Sequence, residues 1–84
     1  MDLKVLFEKA VTESKQLTSR PSNEMLLRLY GLYKQATEGD VNTDPPGAFD
    51  FVNKAKYEAW SSLKGKSQDE AMKEYADLVE KLKD

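Results

Sequence analysis

The sequence contains no cysteine and no histidine. Without cysteine, no disulfide can stabilise a chain of 84 residues, so we expect one domain, residues 1–84, whose stability comes from packing alone. Without histidine, no side chain of ordinary pKa serves as a general acid or base at neutral pH. Together the two absences remove the usual nucleophiles and most metal ligands except carboxylates. The sequence therefore favours a binding protein, with no enzymatic activity, cofactor or metal.

Long apolar runs and an excess of positive charge are also missing. Thirteen basic residues face fifteen acidic ones, for a net charge of −2, whereas nucleic-acid binding normally needs a basic face. No stretch approaches about 18 uncharged apolar residues, and the N-terminus lacks the basic and apolar regions of a signal peptide. We expect a cytoplasmic monomer with no nucleic-acid partner.

Helical periodicity is present in four segments of the sequence. Apolar residues recur there at spacings of three and four, and no alternating pattern typical of strands competes. The first predicted helix begins at Leu3, after the cap Asp2. The second runs from about Asn23 to Glu38 and the third from about Asp50 to Leu63. The fourth begins at the capping box formed by Ser67 to Glu70. Residues 40–49, which include two prolines, form a connection long for a bundle, so this loop either crosses the bundle or serves a function. An all-α fold of four helices follows.

The apolar faces of these helices predict the core. The first face extends to Leu17, and the second covers more than half the circumference of its helix, so that helix should face two neighbours, or a neighbour and a ligand. The third helix is expected to bury Val52, Ala55, Ala59, Trp60 and Leu63. The fourth should bury Ala71, Met72, Tyr75, Leu78, Val79 and Leu82.

The segment from Asp40 to Asp44 resembles the opening of a calcium loop, with oxygen side chains at alternate positions. The match then fails, because Pro45 stands where the sharp turn needs glycine and Phe51 where a bidentate glutamate is required. We interpret these residues as turn formers and helix caps.

Two lysines interrupt apolar and aromatic helix faces. Lys56 has Val52 and Trp60 one turn away on either side, and Lys34 lies one turn from Tyr30. Either a lysine snorkels at the edge of an apolar stripe, or it neutralises an anionic ligand. Tyrosines at helical spacing are usually core residues, yet their hydroxyls also donate to phosphate and their rings stack on a purine. The pattern alone leaves both interpretations open.

A longer pattern covers nearly the whole chain. Its core runs from Tyr30 to Asn42 and combines tyrosine-x-x-tyrosine-lysine-glutamine-alanine with glycine-aspartate-x-asparagine. Later elements at matching spacing are Pro46-Gly47, Asp50, Lys54-Ala55-Lys56, Ala59-Trp60, Leu63-Lys64-Gly65, Ser67, Ala71-Met72 and Tyr75. In these residues the chain closely resembles the acyl-CoA-binding protein family, also called diazepam-binding inhibitor.

The resemblance implies an up-down-down-up bundle that binds medium- and long-chain acyl-CoA thioesters without covalent chemistry, and carries and buffers them inside the cell. Its implied partners are acyl-CoA esters, with transient contacts to acyl-CoA-using enzymes or membrane surfaces. The residues that would contact the ribose 3′-phosphate are Tyr30, Lys34 and Lys56. Around them, Tyr33 would border the adenine, Lys15 would assist at the phosphate end, and Tyr75 would contact the ligand near its acyl portion.

The remaining implied ligand residues are mostly apolar. Gly31 and Leu32 lie in the same contact segment, and Leu26 and Leu27 resemble positions that line the acyl groove. Val52 departs from the family pattern, because many members carry there a lysine that also approaches the ligand. The rival hypothesis is a helical protein-interaction module without a lipid ligand, whose exposed aromatic residues would meet another protein.

Overall fold

A computed structural model describes residues 2–83 and contains four helices within that range. They are α1 (Leu3–Ser14), α2 (Asn23–Glu38), α3 (Phe51–Ser61) and α4 (Gln68–Leu82). The predicted all-α fold class is confirmed. Within the described range, no helix combines the length and the apolar character that crossing a bilayer requires.

Each helix begins at a side chain that accepts a hydrogen bond from the first turn, where backbone N–H groups have no partner inside the helix. Asp2, Ser22 and Asp50 accept from backbone nitrogens at 3.2, 3.2 and 3.3 Å. Ser67 Oγ accepts from the backbone nitrogen of Glu70 at 3.0 Å, and its hydroxyl donates to the carboxylate of the same residue at 3.1 Å. The predicted N-cap at Ser67 is confirmed, with the Glu70 carboxylate bonded to the serine hydroxyl.

Helices α2 and α3 run parallel. Tyr30 contacts Lys56 and, one turn later on both helices, Lys34 contacts Trp60. The indole Nε1 of Trp60 donates to Gly39 O at 2.8 Å, so the two helices end at the same level. The 11 residues of α3 span about 16 Å at about 1.5 Å per residue. Because α2 and α3 are parallel, the loop between them must return over that distance from the end of α2 to the start of α3. This geometry explains the long loop that the sequence predicted.

Helix α4 runs antiparallel to α2 and parallel to α1. Gln68 at the start of α4 donates to Ala36 O near the end of α2 at 3.1 Å. The starts of α1 and α4 meet at a cavity lined by Lys4 and Gln68. Further along both helices, Tyr75 donates to Ser14 at 3.0 Å and Lys83 pairs with Glu13 at 2.8 Å. The predicted up-down-down-up order is confirmed.

The core lies where α1, α2 and α4 meet. Its large buried apolar side chains are Phe7, Leu29, Leu32, Tyr75, Leu78 and Val79. Of the predicted core of α3, only Trp60 is fully buried, whereas Ala55, Ala59 and Leu63 are half-buried. The prediction that Val52 is buried is wrong, because 69% of it is exposed. Among the described helices, α3 packs on α2, and Val52 lies on a side of α3 that α2 does not cover.

Two helices end earlier than their apolar spacing predicts. Helix α1 stops at Ser14, so Leu17 lies beyond it. Helix α3 stops at Ser61, where the hydroxyls of Ser61 and Ser62 donate to the carbonyls of Glu58 and Ala59 at 3.2 and 3.0 Å. Serine side chains bonded to nearby carbonyls offer the backbone an alternative to continuing the helix.

Gln35 ties α2 to the connection between α3 and α4. It is fully buried, and its Nε2 donates to Asp40 Oδ1 at 2.9 Å and to Lys66 O at 2.7 Å. The same Oδ1 accepts from the backbone nitrogen of Gly65 at 2.9 Å. These hydrogen bonds lower the pKa of Asp40, that from Gly65 most strongly. Asp40 is thus a structural acceptor, in agreement with the rejection of a calcium loop.

Candidate functional site

Two lysines and two aromatic rings meet between α2 and α3, and we call Tyr30, Lys34, Lys56 and Trp60 the lysine–aromatic cluster. Lys34 Nζ lies 5.0 Å from the centroid of the Trp60 ring, and Lys56 Nζ lies 5.5 Å from that of Tyr30. Both distances fall within the range of cation–π attraction. The arrangement follows from parallel packing, since each lysine on one helix lies level with an aromatic residue on the other. Two cations thus share one face of the molecule.

Lys34 also pairs with Glu38, one turn further along α2. The hydrogen bond from Lys34 to this carboxylate is the main reason why the pKa of Lys34 is raised, so the lysine stays charged. A surface pair at this spacing contributes only about 0.3–0.5 kcal/mol. An anionic ligand of higher charge can therefore displace the glutamate.

Aromatic rings from three helices line the face next to the cluster. The Phe7 and Tyr33 rings stack with centroids 6.0 Å apart, and the Tyr75 ring meets Phe7 edge-on at 5.2 Å. Tyr75 is 4% exposed, whereas Tyr33 is 39% exposed and offers part of its ring to solvent. Burial raises the pKa of Tyr75, whose hydroxyl therefore remains protonated and donates to Ser14.

A cavity of about 280 Å³, which we call the Lys15 cavity, opens between α1 and α2 over Tyr75. It is lined by Val11, Ser14, Lys15, Leu26, Leu29, Tyr30, Tyr33 and Tyr75. Five predicted ligand residues, Lys15, Leu26, Tyr30, Tyr33 and Tyr75, therefore lie around one opening. Because Tyr30 also belongs to the lysine–aromatic cluster, Lys34 and Lys56 extend the same surface.

The other predicted ligand residues lie elsewhere. Leu27 faces a separate cavity of about 320 Å³ that also includes Leu32 and Ala59. Gly31 packs directly on α3, since a Cβ atom there would lie 2.6 Å from Ala59 O. Leu32 is 4% exposed, and these two residues hold the helices together behind the cluster. Val52 lies one turn before Lys56 and points an exposed apolar side chain to solvent.

A larger cavity of about 490 Å³ adjoins the Lys15 cavity and was not predicted from the sequence. Its apolar wall includes Phe7, Val11, Tyr33, Ala36 and Met72, and it shares Val11 and Tyr33 with the smaller one. A signal for it was present, because Phe7, Val11 and Lys15 follow one another at four-residue spacing on α1.

The site holds cations, tyrosine hydroxyls and apolar walls, and these suit an amphipathic anion. Among residues 2–83, no group of three or more acidic side chains is placed to hold a metal ion. The chemistry available is neutralisation of phosphate by lysine, stacking on an exposed ring and burial of an apolar chain.

A family model, a related sequence and a solved structure all point to the same family. Residues 4–79 match the family model described as "Acyl CoA binding protein". An acyl-CoA-binding protein from Brassica napus is 52% identical over 98% of this chain and 89% of its own length. The crystal structure of acyl-CoA-binding protein 2 from Oryza sativa superposes with a TM-score of 0.92 and 44% identity, covering 96% of this chain and 90% of that one.

A third relative has a different name. Enoyl-CoA delta isomerase 2 from Rattus norvegicus is 51% identical over 90% of this chain, but the match covers only 19% of the isomerase. This chain therefore corresponds to a small part of that longer protein.

Proposed function

Since this chain belongs to the acyl-CoA-binding protein family, we propose that it binds medium- and long-chain acyl-CoA thioesters as a single domain and carries and buffers them in the cytoplasm as a monomer. The observation that carries this proposal is the meeting of the Lys15 cavity with the lysine–aromatic cluster at Tyr30. An apolar opening next to three lysines suits a ligand that joins a long acyl chain to a phosphorylated nucleotide.

The ribose 3′-phosphate binds between Lys34 and Lys56, and the Tyr30 hydroxyl completes its hydrogen bonds. Both ammonium groups already face this region, and each point-charge contact at a protein surface is worth on the order of 1 to 4 kcal/mol before desolvation and screening. Binding displaces Glu38 from Lys34, which costs little for a surface pair. Lys15, at the end of α1, neutralises further negative charge at the phosphate end.

The adenine borders Tyr33, whose partly exposed ring offers a stacking surface. Tyr75 forms the floor of the cavity and contacts the ligand near its acyl portion. Leu26 lines the acyl groove at this opening. Leu27 lies at the separate cavity, and Gly31 and Leu32 position this segment of α2 from behind. Val52 adds an apolar contact where related proteins carry a lysine, so one electrostatic contact is lost and the site keeps its other cations.

The acyl chain supplies most of the affinity. At roughly 0.8 kcal/mol per buried methylene, about fourteen methylenes offer up to about 11 kcal/mol, from which association and ordering costs are subtracted. Phosphate and adenine contacts then provide specificity, because free fatty acids lack both.

Calorimetry with acetyl-, octanoyl-, dodecanoyl- and palmitoyl-CoA tests whether the acyl chain supplies the affinity and the nucleotide contacts the specificity. We expect the affinity to rise with chain length and to be far weaker for free palmitate and for CoA alone. A flat series would exclude the acyl groove and favour the rival interpretation of a protein-interaction module.

The ligand remains intact, so palmitoyl-CoA incubated with the protein for hours should show no hydrolysis above the protein-free control. Contacts with acyl-CoA-using enzymes belong to the same proposal and are transient.

A further inference from the structure

Two phenylalanines point into solvent where α3 begins. Phe49, in the preceding loop, is 90% exposed, and Phe51, the first residue of α3, is 71% exposed. Phenylalanine is among the residue types most often buried in folded proteins. We call Phe49 and Phe51 the phenylalanine pair. Packing does not account for it, since neither side chain belongs to the core.

The exposed apolar area is large for so small a protein. Val52 follows the pair directly and is 69% exposed. If a phenylalanine is taken as about 200 Å², the three residues leave roughly 400 Å² of apolar surface in water, a size at which exposed patches mark contacts with proteins or membranes.

Positive charge lies beside the pair. Lys54 is exposed and has no ion pair within residues 2–83, and Lys56 lies one turn beyond Val52. The carboxylate of Asp50 is engaged in capping α3, where it accepts from Asn53 N at 3.3 Å and from Asn53 Nδ2 at 2.8 Å. The phenylalanine pair is thus apolar, and Lys54 and Lys56 lie about one turn further along α3. This order matches a bilayer surface, whose hydrocarbon lies beneath anionic phosphates.

The exposed acidic residues Asp44 and Glu58 balance these lysines along the chain, so net charge alone would not hold the protein on a membrane. Insertion of the two phenylalanine side chains must therefore supply the attraction to the membrane. Contact between the protein and the membrane is brief. The pair also adjoins the proposed ligand site, because Val52 separates it from Lys56 by a single helical turn.

We propose that the phenylalanine pair is a lipid-docking surface that inserts at the membrane interface and brings the Lys56 side of the ligand site against the bilayer. This inference rests on the proposed function, because an acyl-CoA ligand is an amphiphile that itself partitions into membranes. Docking shortens the path by which the acyl chain leaves the bilayer and enters the protein.

Cosedimentation with vesicles of phosphatidylcholine containing a minor fraction of phosphatidylserine tests the proposal. The variant Phe49→Ser/Phe51→Ser should bind these vesicles at least about tenfold more weakly, since two aromatic side chains no longer insert. Val5→Ser is the matched control, because Val5 is 51% exposed on α1, and it should bind like the wild type. Lys54→Gln should weaken binding only when phosphatidylserine is present.

Palmitoyl-CoA binding in vesicle-free solution separates this inference from the proposed function. The double variant should keep its solution affinity, yet take up palmitoyl-CoA from vesicles more slowly, by about the same factor as its vesicle binding falls. A wild type that does not bind vesicles, or a double variant that binds them normally, overturns the docking surface. Loss of solution affinity in the double variant also overturns it, because the pair would then belong to the ligand site. If the wild type binds vesicles but no palmitoyl-CoA, the proposed function fails and the docking surface stands.

Discussion

Lys34 and Lys56 differ in the partners they hold before any ligand arrives. Lys34 pairs with Glu38 and faces the Trp60 ring, whereas Lys56 faces the Tyr30 ring and forms no ion pair with any residue from 2 to 83. A phosphate must therefore compete for Lys34 but not for Lys56. Removing Lys34 also leaves the Glu38 carboxylate beside the phosphate without a counter-charge.

Replacing either lysine tests the phosphate clamp. Lys34→Ala and Lys56→Ala should each weaken palmitoyl-CoA binding by roughly 1 to 3 kcal/mol, as for a lost charged hydrogen bond, with little change in thermal midpoint. Calorimetry and thermal unfolding measure the two effects. Lys73→Ala, an exposed lysine on α4, should change neither. A variant that unfolds, instead of binding weakly, would show that its lysine is structural.

Asp40 makes stability depend on pH at the acid end. Its folded pKa lies below the ordinary carboxyl value because Gly65 and Gln35 donate to the ionised form. A lowered pKa means that this contribution is complete above about pH 4, the unfolded value, and is lost as pH falls through the folded pKa. Asp40→Asn should therefore lower the urea midpoint at pH 7, and the gap to the wild type should close at an acid pH below the folded pKa of Asp40. An equal gap at both pH values would contradict this assignment.

At the scale of the helices, the contact between α2 and α3 depends on the absence of a side chain at Gly31. An added Cβ would lie 2.6 Å from Ala59 O and 2.9 Å from Ala59 C, which is backbone and cannot swing aside. The register that places Lys56 opposite Tyr30 thus depends on a residue that need not touch the ligand.

Gly31→Ala should push α3 away from α2. We expect a loss of about 1–3 kcal/mol in unfolding free energy, as for overpacking, together with weaker palmitoyl-CoA binding as Lys56 moves from Tyr30. Urea denaturation and calorimetry provide the two measurements. Gly47→Ala is the control, since a Cβ there has nothing within 4 Å. If both alanine variants behave alike, the close approach does not govern this interface.

The helices were largely predictable because their signals are local. Asn23 and Glu38 bound α2 as predicted, since a serine cap and a glycine fix its ends. The exposure of Val52 was not predictable, because periodicity identifies an apolar face without showing how far the neighbouring helix reaches. Gln35 was missed for a related reason: a buried amide is stabilised by partners distant in sequence, such as Lys66 O, and its own polarity suggests a surface position.

The site was predictable only in part. Spacing showed that Lys34 and Lys56 interrupt apolar faces, but their approach depends on parallel packing of α2 and α3, which no local pattern encodes. The family resemblance supplied that arrangement. The pairing of Lys34 with Glu38 was visible as a four-residue spacing, yet its effect on ligand entry required the positions of both helices.

For the whole molecule, ligand binding and stability are linked. A ligand present at about one hundred times its Kd stabilises the folded state by about 2.7 kcal/mol, which for a domain of this size raises Tm by on the order of 10 to 20 °C. Palmitoyl-CoA should produce this shift in a thermal scan. CoA alone at the same concentration should produce a much smaller one, and equal shifts would contradict an affinity set by the acyl chain.

The packing of α1 on α4 also constrains how the chain is made. Ser14 and Tyr75 are 61 positions apart, and Glu13 and Lys83 are 70 apart, so the first helix finds its partner only after the last has been synthesised. Until then, α1 meets α2 through the rings of Phe7 and Tyr33, but the part of its apolar face that α4 covers stays exposed. Distant contacts of this kind slow folding compared with bundles whose neighbours pair in order. We therefore expect the nascent chain to complete its core only after α4 has left the ribosome.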